Sequence, residues 1–176
     1  MSKFKNALLV IILSAAMWLL YTYAQLHFEL QDVKLSVGIG YIVLFSAALL
    51  LPLPSACMMV IISSVIINFS NLLSGVFFST IIIDIIMLLI FEWWINYTKK
   101  MPFTIKYFPA ALVACAGGAL IYFIIDLIIF GFNNAVIGLG FRSIEMFICV
   151  IISLPLLYLI SSMNIGVRKY SPRYKL

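Results

Sequence analysis

Apolar runs of roughly twenty residues, returning along the chain with only short polar breaks, limit this sequence more than anything else in it. A helix needs about 20 apolar residues to cross a bilayer. Six runs of that kind stand at 7–24, 36–52, 55–73, 76–97, 107–130 and 136–161. The expected architecture is an all-α membrane protein: one integral domain over residues 1–176, six transmembrane helices and a short outer segment after the first. Composition agrees, since 65% of the chain is hydrophobic and only 10% is charged. Soluble domains are about half apolar and about a quarter charged. No room is left for a soluble domain beside the membrane one.

The breaks carry their own chemistry. Leu51-Pro52-Leu53-Pro54 separates the second and third runs, and two prolines so close cannot both sit in an unbroken helix. A tight turn is expected there. Ser74-Gly75, after Asn71-Leu72-Leu73, marks another short turn before the fourth run.

Charge sets the orientation. The net charge of +5 could suggest nucleic acid, but the basic residues flank apolar runs instead of forming a patch. With six spans both termini share a side. Lys3, Lys5, Lys99, Lys100, Lys106, Arg168, Lys169, Arg173 and Lys175 then fall on it, against Lys34 and Arg142 opposite. Basic residues stay on the cytoplasmic side, so both termini are expected in the cytoplasm of a multi-pass protein of the cell membrane. The first run imitates a secretory signal, with Lys3 and Lys5 before it and Thr22-Tyr23-Ala24 after it. It is expected to be a retained helix.

Against this background the polar residues inside the runs stand out. Asn68 and Asn71 come near the outer end of the third helix, and Asp84 lies in the outer half of the fourth. The fifth brings Asp126 to its outer end, the sixth starts with Arg142 and Glu145, and Tyr41 lies in the outer half of the second. Ionisable groups at membrane depth cost about 2.5–3.5 kcal/mol each and usually face a cavity or one another. Two readings follow. Asp126 and Arg142 form a structural ion pair shared with Glu145, which lies on the same helix face, or the set lines an outer binding pocket. Asp84 has no basic residue near it in sequence; it is either a protonated carboxyl bonded to a helix or part of that pocket.

The inner half carries small residues instead: Ser14, Ala15 and Ala16, Ser46-Ala47-Ala48, and Ala110, Ala114 and Gly118 at four-residue spacing. Such positions let backbones approach closely, within the bundle or against a partner. In the outer connection 25–35, Leu26, Phe28 and Leu30 alternate, as in a short strand or a lid over the outer mouth. Glu92, Trp93 and Trp94 read as an interfacial aromatic belt.

Several chemistries lack their residues. Cys57, Cys115 and Cys149 are widely spaced in apolar runs, with no CxxC and a single histidine, His27. No zinc site, disulfide framework or other cofactor is expected. No Walker, HExxH or GxSxG motif is present, so no enzyme activity is expected.

From residue 36 to 88 the order of features resembles the substrate-binding S components of bacterial energy-coupling-factor (ECF) vitamin transporters, nearest the subgroup for pyridoxine-like or hydroxymethylpyrimidine-like compounds. The resemblance rests on Leu51-Pro52-Leu53-Pro54, on Asn71-Leu72-Leu73 followed by Ser74-Gly75, and on Phe77-Phe78-Ser79-Thr80 leading to Asp84. The stretch "FRSIEMFICVIISLPLLYLI" is similar to that family's last helix. Asn71 stands where an acidic residue is usual and Asp84 where a lysine is usual, which argues against an anionic ligand. The resemblance implies a subunit that binds a small vitamin or precursor in the outer half of the bilayer. It also implies docking, through the first helix near Ser14-Ala15-Ala16, on a transmembrane coupling subunit driven by two ATPases. A scaffold of different class, like the rod-shape-determining membrane subunit of cell-wall machinery, has similar size and span number; there the outer polar residues would be structural or meet a protein partner.

Overall fold

A computed structural model of the chain describes residues 3–30, 33–67, 75–98 and 102–162. Among them run α1 (Lys3–Tyr23), β1 (Gln25–Leu30), β2 (Val33–Gly38), α2 (Tyr41–Leu50), α3 (Leu53–Ile67), α4 (Gly75–Tyr97), α5 (Phe103–Phe130) and α6 (Phe132–Ser162). The body is helical. The connection after α1 is an antiparallel hairpin in which Gln25 faces Gly38 and Leu30 faces Val33. The alternating Leu26, Phe28 and Leu30 lie in its first strand.

Among the described residues four helices are long and apolar enough to cross a membrane, over Phe4–Tyr23, Phe78–Tyr97, Lys106–Phe130 and Phe132–Ser162. This is compatible with a transmembrane protein. The second run departs from the expected span. Its first residues belong to β2, and α2 keeps only 10 residues, about 15 Å at 1.5 Å per residue. The described part of α3 is 15 residues, about 22 Å, against a hydrocarbon core of about 30 Å.

The prolines explain the short segments. Leu51 is extended (φ −113°, ψ 150°), as a residue before proline prefers. Pro54 then sits in the first turn of α3, where a missing N–H costs nothing. Between α5 and α6 the whole connection is Gly131, at φ +81°, a backbone conformation that glycine adopts without a Cβ clash.

α2 is the centre of the bundle. Ile42 through Leu49 are all buried, as a helix apolar on every side must be. It packs against α1, α3, α4 and α6, and Phe45 meets Phe91 of α4 with ring centroids 4.8 Å apart. The longer helices wrap it, α5 lying between α4 and α6 and α1 against α3. Their outer faces carry exposed Phe4, Ile11, Ile128 and Ile137, the surface that suits lipid. Buried serines answer their hydroxyls locally: Ser46 donates to the Ile42 carbonyl at 2.8 Å and Ser63 to the Val60 carbonyl at 2.9 Å.

The small residues divide between two roles. Ala110, Ala114 and Gly118 are buried inside the chain. A Cβ on Gly118 would collide with the Met87 thioether of α4 and come within 3.3 Å of Met146 Cε in α6. This stripe lets α5 close on its own neighbours, and no partner can reach it. Ser14 is buried too, donating to the Met59 carbonyl of α3 at 3.3 Å. Ala16 is half-buried and packed against the core. Only Ala15 faces outward, beside exposed Ile11, Ile12 and Leu19. Lys106 also differs from an interfacial charge, being 6% exposed with its ammonium 5.3 Å from the Tyr107 ring centroid.

Candidate functional site

The helices leave a cavity at the end of the bundle that carries the hairpin. Its wall takes Tyr21 near the end of α1, Tyr41 at the start of α2 and Ser64 near the end of α3. Thr80 and Asp84 come from the first half of α4, Tyr122 from the second half of α5, and Arg142 and Glu145 from the first half of α6. Every helix contributes. At 1.5 Å per residue, Asp84 lies about 14 Å along α4, Tyr122 about 12 Å before the end of α5 and Arg142 about 15 Å into α6. On the other side, Tyr21 and Tyr41 stand at the feet of the hairpin. The space open to the centre of a water molecule is about 40 Å³, room for a few waters.

Asp84 dominates the chemistry. It is 2% exposed, and its Oδ1 has no hydrogen-bond partner. A buried carboxylate oxygen left so costs free energy that a structural role would have removed. The Glu145 carboxylate is near enough for its charge to act on Asp84, and the two repel when both are ionised.

Arg142 is held differently. Its Nε lies 3.5 Å from Asp126 Oδ2, and its guanidinium carbon sits 3.8 Å from the centroid of the Tyr122 ring, a cation–π stack. Asp126 is thus behind the wall and anchors the arginine without lining the cavity. Gly138 gives it room, since a Cβ there would come 3.0 Å from Asp126 Oδ2. The Tyr122 hydroxyl is hydrogen-bonded to the hydroxyls of Tyr41 and Thr80, which ties α2, α4 and α5 together across the cavity. A wall cross-braced in this way holds its shape before any ligand arrives.

Of the residues singled out in the sequence, Tyr41, Asp84, Arg142 and Glu145 meet at the cavity, with Asp126 one layer behind. Asn68 and Asn71 lie outside the described residues. The ion pair and the pocket wall prove compatible, because Arg142 belongs to both. Tyr21, Ser64, Thr80 and Tyr122 were not anticipated. Their signal was one helical turn: Ser64, Thr80 and Tyr122 each stand four residues before Asn68, Asp84 and Asp126, and residues four apart share a helix face.

Among the described residues no group of three or more His, Cys, Asp or Glu side chains is placed to hold a metal ion. Comparison with protein-family profiles, characterised proteins and solved structures finds no match.

Proposed function

We propose that this chain is the substrate-binding subunit of an ECF-type importer, capturing a small, water-soluble vitamin or precursor in the outer half of the bilayer. In this reading six helical segments enclose the ligand, both termini face the cytoplasm of a bacterial cell, and the chain hydrolyses nothing itself. A transmembrane coupling subunit with two ATPases would reorient the bundle. One observation carries the reading: a cavity walled by residues of α1 through α6, among them a 2%-exposed carboxylate, Asp84, whose Oδ1 is buried with no hydrogen-bond partner. Membrane proteins retain such groups for ligands, ions or protons. The resemblance over residues 36–88 adds the transporter class. The hairpin over the feet of α1 and α2 suits a cover for the cavity mouth.

The coupling subunit has less surface than the small-residue pattern suggests, since Ala110, Ala114 and Gly118 are spent inside the bundle. The exposed stripe of α1, with Phe4, Leu8, Ile11, Ala15 and Leu19 on one face, is the docking surface in this proposal. Purification of the detergent-solubilised protein from its own membranes tests both halves. Mass spectrometry should find a stoichiometric small polar compound, and the same preparation should contain a coupling subunit and ATPases. Recovery of the folded chain with neither would sink the proposal.

A further inference from the structure

We infer that a groove between α5 and α6 is a lipid site, holding the end of one acyl chain against the protein. The inference needs only that these helices cross a bilayer, and it does not depend on the importer reading. The floor is Cys115 and Ala119 of α5 with Met146 and Val150 of α6, all buried. Leu112, Ala116, Ser143 and Phe147 form the rim and are exposed. The hollow exists because Cys115, Ala116 and Ala119 are too small to fill the space beside Met146 and Phe147. It measures about 170 Å³. An apolar cavity of about 150 Å³ stays dry and admits benzene, so roughly six carbons fill a hollow of this size.

Depth names the occupant. Leu112 to Ala119 stand 19 to 12 residues before Gly131, and Ser143 to Val150 stand 12 to 19 after it. Both walls therefore run from about 18 to about 28 Å from the turn. α5 has 28 residues, and its middle lies about 21 Å from the same turn. The groove is thus near the centre of the span, where the acyl chains of the two leaflets end. Water is refused there, since it needs two to four polar partners. The Cys115 thiol is turned to the Met146 carbonyl at 3.8 Å, and the Ser143 hydroxyl donates to the Leu139 carbonyl at 2.7 Å. Left empty, the hollow would forfeit dispersion contacts along its whole lining. A partner's helix fits poorly. Membrane helices associate through small exposed residues or interhelical hydrogen bonds. Here the exposed stripe Leu112, Ala116, Leu120 and Ile124 is bulky at three of four positions, and the Ser143 hydrogen is spent. The groove is also continuous with exposed Leu120 and Ile151, the apolar surface that suits lipid. A flexible hydrocarbon end enters where a helix about 10 Å wide cannot.

Photo-crosslinking tests this in phosphatidylcholine vesicles that hold the full chain and a trace of phosphatidylcholine with a diazirine at one acyl-chain end. Peptide mass spectrometry then locates the cross-links. Ile12 of α1 and Leu89 of α4 are the controls, exposed at 53% and 43% near the middle of their own helices. Cross-links at 112–119 and 143–150 should exceed those at the controls several-fold. Ala119→Leu, which fills the floor, should bring them down to the control level. Should Ala119→Leu not fold, Ala116→Leu at the exposed rim serves instead, with the same loss expected. Cross-links no denser than at the controls would mean ordinary contact with fluid lipid and would overturn the inference, as would cross-links undiminished in a folded groove-filling variant. Sparser cross-links than at the controls would overturn it as well. They would point to a second copy on this face if Ala116→Cys chains then form disulfide dimers under mild oxidation.

Discussion

Replacing Asp126 and Arg142 by leucine, singly and together, asks what holds the guanidinium at the cavity wall. The pair is 3.5 Å apart with side chains 13% and 33% exposed, Asp126 first. At that separation two unit charges attract by about 1 kcal/mol in bulk water and about 5 kcal/mol at an effective dielectric of about 20. A third of Arg142 is open, so screening brings the pair toward the lower figure, about 2 kcal/mol. Arg142 also stacks on Tyr122 at 3.8 Å, a contact worth about 0.5–2 kcal/mol. Arg142→Leu loses both contacts and strands Asp126, the more buried partner, so it should cost about 3 kcal/mol. Asp126→Leu leaves Arg142 on Tyr122 and partly in solvent, and should cost about 1–2 kcal/mol. The double variant strands nothing and should cost only about 2 kcal/mol, a coupling of about 2–3 kcal/mol. Unfolding in mixed micelles of SDS and mild detergent, followed by tryptophan fluorescence, measures all four proteins. Single costs that add to the double within about 0.5 kcal/mol, or Asp126→Leu costing more than Arg142→Leu, would refute the anchoring role.

Asp84→Leu should stabilise the ligand-free protein by about 1–2 kcal/mol, since a buried carboxylate kept for a ligand is a liability without one; a destabilised Asp84→Leu would mean that the carboxylate serves the fold. Ala15→Trp, on the exposed face of α1, should fold normally and lose the coupling subunit. Ala114→Trp, at a position with 0% exposure, should not fold at all; a folded Ala114→Trp would contradict the packing of α5. For topology, a cysteine in place of Glu29 should react with an impermeant reagent added outside cells lacking the native cysteines, and one in place of Lys99 should not. Reaction of the latter from outside would reverse the orientation.

Much of the frame was legible because it depends on local chemistry. Runs without charge become helices wherever lipid or a core surrounds them, so the positions of α1, α4, α5 and α6 follow from residue order. Pro52 and Pro54 had to break the chain, since proline lacks an N–H, and the break falls at Leu51. The isolated ionisable residues pointed to the interior, because lipid will not take them, and Tyr41, Asp84, Arg142 and Glu145 do meet there.

Which apolar face looks inward was not legible. In a soluble helix, water separates the two faces by polarity; in a membrane helix lipid and core both accept apolar side chains, so that contrast disappears. For that reason Ala110, Ala114 and Gly118 could be assigned to a partner until Met87 was found against Gly118. The shortness and central burial of α2 were equally hidden, since a run apolar on all sides reads alike as a span or as a core helix. The same holds for Arg142. Sequence offered it as an ion pair or as a pocket wall, and only the packing of α5 against α6 made it both, with Asp126 behind and Tyr122 beneath.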